Sequence, residues 1–212
     1  MSIRSWLGPI LLTASIYGCA RPTPPPPTSV AKFATSAGDR TRLTGSVGFA
    51  VEDVADSGSD DAILYAPVTE VAVSGDLGER YEWSVTSGLF NLAYEGAVVL
   101  LDSPPTRAFL AILHGAGVGV VGSEFVVFPS AGGGLLAAFG PQRTVHAAAR
   151  YWVGTMVPDG DVFVQDLVVN VGVGFFDGAL RWELAFDRMT EQRASSDATT
   201  WYVISGVSFT MF

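Results

Sequence analysis

The chain has 212 residues, of which 49% are hydrophobic and only 16% charged, with a formal net charge of -9 and 24 glycines. The apolar share excludes disorder for most of the chain, and the acidic balance argues against nucleic acid as a partner. One cysteine permits neither an internal disulfide nor a cysteine-based zinc site. A charged share so far below the roughly 25% of soluble domains is too small to coat an ordinary water-exposed surface.

Residues 1–18 have the form of a secretion signal peptide. Arg4 supplies the positive start, and Trp6 to Ile16 is an apolar stretch with Leu7, Ile10, Leu11 and Leu12. It is too short for a spanning helix, which needs about 20 apolar residues. The sequence Ile16-Tyr17-Gly18-Cys19 that closes it resembles the lipobox of bacterial lipoproteins. The resemblance implies cleavage before Cys19, lipidation of its sulfur and, with Ala20 rather than aspartate next, sorting to the outer membrane. Pro24 to Pro27 form a stretch that favours extended polyproline II and cannot pair as a strand. Residues 19–42 are accordingly expected to be a lipidated N-terminus and proline-rich linker, ahead of a folded domain over 43–212.

From Leu43 onward apolar residues recur with period two, the mark of strands with unlike faces. Leu180, Trp182, Leu184 and Phe186 alternate with Arg181, Glu183, Ala185 and Asp187; Leu167, Val169, Val171, Val173 and Phe175 alternate with Asp166, Val168, Asn170, Gly172 and Gly174. The pattern predicts ten strands, over 43–52, 62–74, 80–88, 89–101, 106–120, 123–139, 144–156, 162–175, 178–188 and 200–212, within a range of eight to twelve. They exceed the usual 5–6 residues of soluble strands and suit a tilted bilayer crossing. Their connections alternate too. Gly75–Glu79, Asp102–Pro105, Gly140–Arg143 and Phe176–Asp177 are short turns at one end, whereas Asp53–Asp61 and Met189–Thr199 are the longest loops at the other.

With this alternation, this loop rhythm and a terminal Phe212, the chain resembles the small outer-membrane β-barrel proteins of Gram-negative bacteria over residues 43–212. The resemblance implies an all-β, antiparallel, up-and-down transmembrane barrel. Its partners would be outer-membrane lipids, the barrel-assembly machinery and the lipoprotein-sorting machinery, and its N-terminus would lie on the periplasmic side. Closure removes the sheet edges that lipid cannot satisfy. The apolar face then points outward, and the lumen receives a polar network of Glu70, Glu82, Glu95, Arg107, Arg150, Asp166, Arg181 and Glu183, with Glu52, Glu124 and Asp187 on the same faces. Tyr65, Tyr81, Trp83, Tyr151, Trp201 and Tyr202 fall near strand ends, where interfacial girdles form. Pro67 and Pro129 predict bulges or unpaired positions.

No catalytic, metal or cofactor motif stands out. His114 falls on the outward face, and His146 is expected to be a structural histidine of the lumen. The acidic stretch with Glu52, Asp53, Asp56, Asp60 and Asp61 lacks the spacing of a calcium loop. Gly132-Gly133-Gly134 lacks the lysine and helix of a phosphate loop and reads as a strand bend. The expected role is structural, adhesive or that of a narrow pore, without catalysis. The rival is a soluble periplasmic lipocalin-like barrel that binds an apolar ligand inside. The two differ in the direction of Trp182 and Glu183. A hydrolase would require His114 or His146 beside a hydroxyl.

Overall fold

The computed structural model describes residues 29–34, 41–53, 63–88, 91–103, 107–121, 126–157, 162–193 and 196–211. Cys19, Glu52's side chain, Tyr65's side chain, Glu124, most of the acidic stretch and Phe212 lie outside what is described. Ten antiparallel strands close into a barrel: β1 (Arg42–Asp53), β2 (Ile63–Asp76), β3 (Tyr81–Gly88), β4 (Asn91–Ser103), β5 (Ala108–Val121), β6 (Val126–Phe139), β7 (Val145–Thr155), β8 (Phe163–Phe175), β9 (Leu180–Arg193) and β10 (Ser196–Met211). Each strand pairs with its sequence neighbours, and β1 closes on β10 from Leu43↔Met211 to Asp53↔Trp201.

The alternation sorts side chains as the pattern predicts. On β9, Trp182 is 42% exposed outside the barrel and Glu183 6% exposed within it. Val47, Phe49, Val71, Leu135, Val145, Val169 and Phe209 also stand exposed on the outer wall. An interior rich in charge and an exterior rich in large apolar groups is the reverse of a lipocalin-like binding barrel, so that expectation is overturned.

All four connections at the end where β1 begins contain left-handed backbone, starting with Gly78 (φ +73°) after β2 and Arg107 (φ +52°) before β5. Gly140 has φ +88° and lets the chain leave β6, while Gln142 and Arg143 follow at +50° and +53°. The turn from β8 to β9 repeats the device at Phe176, Asp177 and Gly178. Among the described residues, the one register irregularity lies between β4 and β5 at Val99/Leu101.

The prolines behave differently from each other. Pro67 pairs in register with Phe49 without a bulge. At Pro129 the β6–β7 ladder stops at Ser130↔Gly154 and returns as a single bridge, Val127↔Val157. That bridge is a hydrogen-bonded pair, with N–H to carbonyl distances of 3.0 and 2.8 Å in the two directions. Two residues on, position 129 is therefore due to donate to β7, and proline has no N–H to give.

The three consecutive glycines lie within β6 in continuous pairing with β7. Gly132 faces Trp152, and a Cβ there would stand 2.6 Å from the indole ring. Its bare backbone makes room for the largest side chain in the lumen.

At the other end, β9 and β10 continue to Arg193 and from Ser196. The expected loop Met189–Thr199 is therefore mostly a paired hairpin, with Thr190 opposite Thr199.

Candidate functional site

The lumen is a stack of charged layers filled from one end by the chain itself. Ser29 to Ala34 lies inside the barrel, ending in a single helical turn, α1 (Ala31–Ala34). Val30, Ala31, Lys32 and Phe33 are all at most 1% exposed. Residues 19–42 are thus not wholly a linker outside the folded domain, because this part of them is core. The wall is shaped for the segment. Val30 and Phe33 pack on Ala97, Val99, Phe109, Ala111, Leu113, Leu136, Ala138 and Ala148, an apolar quadrant formed by β4–β7. Burying two such side chains contributes about 1.5–3 kcal/mol each.

Polar wall residues hold the remainder of the plug. Lys32 pairs with Glu95, and its ammonium donates to Thr86 Oγ1 at 2.8 Å. The Ser29 N–H donates to Glu70 Oε2 at 3.3 Å and the Val30 N–H to Glu183 Oε1 at 3.1 Å. The Ser29 hydroxyl donates to the other Glu183 oxygen. At the mouth, Arg143 donates to the Phe33 carbonyl at 2.6 Å while its guanidinium lies 3.3 Å from the centre of the Phe109 ring.

Behind these contacts the wall residues brace one another. Arg143 pairs with Glu82 at 2.8 Å and Asp102 at 3.2 Å, and Arg42 pairs with Asp76 at 2.7 Å. Arg181 donates to the carbonyls of Arg143 and Gln142 at 2.9 and 2.7 Å, tying β9 to the turn before β7. His146 contacts Glu183 at 3.0 Å, in keeping with a structural role in the lumen. Arg150 bridges Glu95 at 3.1 Å and Asn170 at 3.2 Å. A paired buried charge avoids most of the penalty that a lone one carries.

Farther from the mouth, Asp166 and Asp187 are 3% and 1% exposed, and their carboxylate oxygens have no hydrogen-bond partner among the described residues. They are diagonal neighbours across β8 and β9. Above them Phe128, Met156, Val162, Val164 and Met189, with Tyr202 against them, form an apolar layer. Tyr202 therefore points inward and does not belong to the outer girdle. A cavity of about 30 Å³ beside Ser29, Glu70 and Glu183 has room for only one or two waters.

Seven of the eight residues assigned to the lumen from sequence are buried there: Glu70, Glu82, Glu95, Arg150, Asp166, Arg181 and Glu183. Arg107 is not. It sits exposed just before β5 with φ +52°, and its carbonyl accepts from the Gly140 N–H. Its inward parity counts from a strand that has not yet begun. Sequence reasoning missed Ser29, Lys32, Arg42 and Arg143. One signal was available for Lys32, the only lysine in the chain.

His114 projects from the outer wall, where its Nε2 lies 3.2 Å from the Tyr81 hydroxyl; that hydroxyl is 2.6 Å from the one on Tyr94. The three polar groups satisfy each other on an otherwise apolar surface. Among the described residues neither His114 nor His146 touches a serine or threonine hydroxyl, and no group of three or more acidic, histidine or cysteine side chains is placed to hold a metal.

No protein-family model and no curated protein matches the sequence. Among solved structures, the fold is similar to an outer-membrane channel from Pseudomonas putida F1, with TM-score 0.46 and 8% identity over 83% of this chain and 98% of that one. It is also similar to the outer-membrane protease OmpT from Escherichia coli, with TM-score 0.43 and 11% identity over 82% of this chain and 97% of that one. Neisserial surface protein A gives TM-score 0.30 and 7% identity over 80% of this chain and 96% of that one.

Proposed function

We propose that the protein is a narrow pore of the Gram-negative outer membrane, anchored through Cys19 and held shut by its own N-terminal segment. The observation that carries the reading is the inversion of faces: large apolar side chains outside, paired charges inside. In water such an exterior is a liability; in lipid it is the stable solution. Nine of the ten strands, 11 to 16 residues long, reach or exceed the 9–11 residues that a tilted crossing requires, and only β3, with 8, falls just short. Closure leaves no unpaired edge for lipid to meet.

A lumen built only to brace the barrel needs no removable part. Here the filling is a separate stretch of chain, tied to the wall by hydrogen bonds, ion pairs and two apolar side chains, with no strand pairing. That favours a gate over a permanent core, and a pore over a purely adhesive role. The short turns and the plug share one end of the barrel. With a lipidated Cys19 ten residues before Ser29, that end is the periplasmic one, and its acyl chains enter the inner leaflet.

Three measurements test this. Brominated phospholipids should quench the fluorescence of the outward-facing Trp182 and Trp201 in vesicles, and unquenched emission would contradict a bilayer setting. Planar-bilayer recordings should show rare openings for the intact chain and sustained current once residues 29–34 are deleted; a silent deletion variant that still migrates as a folded barrel sinks the pore. Labelled palmitate should be incorporated in cells and lost in Cys19→Ser.

A further inference from the structure

The chain's only lysine is spent inside the barrel. Lys32 is 1% exposed, and its ammonium meets one carboxylate, Glu95, and one hydroxyl, Thr86 Oγ1, at 2.8 Å from the latter. The same plug presents the Ser29 and Val30 N–H groups to Glu70 and Glu183. Donors of the plug thus meet acceptors of the wall at three successive points. The wall would keep these acceptors if the segment withdrew. Glu95 Oε1 would still accept from Arg150 at 3.1 Å, and Glu183 would still contact His146 at 3.0 Å and Ser208 at 3.3 Å. What Lys32 alone satisfies is Glu95 Oε2 and its share of Thr86.

We propose that Lys32 acts as a built-in ligand occupying a recognition site for a primary ammonium group. Glu95 and Thr86 then receive the ammonium of a small organic cation, an aliphatic amine or diamine, when that space is vacated. The assignment rests on the plugged-pore reading for its place in transport, but the site itself is defined by contacts alone. A compact ammonium fits because one carboxylate oxygen and one hydroxyl converge on a single nitrogen. A guanidinium fits poorly: its planar fork seeks both oxygens of a carboxylate, and Arg150 already holds the second. A divalent metal fits poorly as well, because no group of three or more acidic, histidine or cysteine side chains supplies a ligand set among the described residues. Ala97, Val99 and Leu113 remain on the wall when the segment leaves, an apolar surround in which a charged partner is worth more than in water.

Chemical rescue tests the site in the full-length chain. Lys32→Ala removes the three methylenes and the ammonium beyond Cβ and leaves a cavity of propylammonium shape. Calorimetric titration of n-propylammonium into the detergent-solubilised variant should give a binding isotherm at millimolar concentration. Wild type, whose site is filled, should give none, and tetramethylammonium, which has no N–H to donate, should give none with the variant. Lys32→Ala/Glu95→Gln should bind propylammonium at least tenfold more weakly. Lys32→Ala/Thr86→Val, which keeps every charge, should weaken it severalfold. Heat-modifiable gel migration verifies that each variant is folded. Absence of binding to folded Lys32→Ala, equal binding by tetramethylammonium, or binding unaffected by Glu95→Gln overturns the proposal. Conductance of the same variants separates the two readings. Amine binding without current leaves the ammonium site standing and removes the pore; current without amine selectivity does the reverse.

Discussion

Gly132 shows how little tolerance the lumen has at single positions. A Cβ on it would lie 2.5 Å from the Tyr151 carbonyl oxygen and 2.6 Å from the Trp152 ring, whereas one on Gly45 meets nothing within 4 Å. Gly132→Ala should therefore destabilise the barrel by about 1–3 kcal/mol through overpacking. Gly45→Ala should be neutral, or stabilising by up to about 1 kcal/mol because it restricts the unfolded chain. Urea unfolding in detergent, followed by tryptophan emission, measures both; equal effects would mean that Trp152 does not need the gap. Arg181 is the complementary case. It is fully buried and serves two carbonyls of one turn, so Arg181→Met strands both acceptors and should cost about 2–4 kcal/mol. Arg181→Lys should recover less than half, since a point charge cannot span two carbonyls as the guanidinium does. The turn should loosen first, seen as faster hydrogen exchange at Gly174, whose N–H donates to Thr144. Full recovery by lysine would show that charge alone matters there.

Among the elements, β6 carries a correctable flaw. The β6–β7 ladder lapses beside Pro129, and Pro129 is exposed on the outer wall, where valine fits the alternation. Pro129→Val should restore one backbone hydrogen bond and stabilise by about 0.5–1.5 kcal/mol. The new amide should be slow to exchange; rapid exchange with an unchanged unfolding midpoint would show that the gap has another cause. The same element scale explains what could be seen in the sequence. Unlike outer and inner faces impose strict alternation, so the ten strands and the opposition of Trp182 to Glu183 were legible, while which of the two points outward was left to the structure. Where lipid ends the signal ends. Thr190 to Arg193 and Ser196 to Thr199 pair as strands, yet they are polar on both faces and read as a loop. On β4–β6 the inward residues are Ala97, Val99, Ala111, Leu113, Leu136 and Ala138. They are apolar because they meet Val30 and Phe33, and a period-two pattern cannot reveal an occupant. The plug itself is six residues long, too short for any periodicity, and it becomes a core only when the barrel surrounds it.

For the molecule as a whole, the position of the apolar belt is written in a few outward residues. Trp182 and Phe175 stand near the end with the short turns, and Tyr151 and Trp201 toward the other. Beside Trp201, Arg188 is exposed on the outer wall, its guanidinium 5.5 Å from the indole ring. An arginine at that height sits where a charge can reach lipid headgroups while its stem stays on the aromatic surface. Above it β9 and β10 become polar on both faces, as a hairpin in water requires. Val169 lies midway along β8, 40% exposed, between Ala149 of β7 and Phe186 of β9. A charge there has no short path to either interface. Val169→Arg should thus cost about 2–4 kcal/mol when the barrel is folded in phospholipid vesicles. Phe176, 80% exposed in the turn from β8 to β9, lies outside the belt, so Phe176→Arg should change stability by less than about 1 kcal/mol. Chemical unfolding from vesicles compares the pair directly. In a water-soluble barrel the order would invert or vanish, because a charge at position 169 would then relieve an exposed apolar surface. A Val169→Arg variant as stable as wild type would accordingly refute the membrane setting, with the barrel itself left intact.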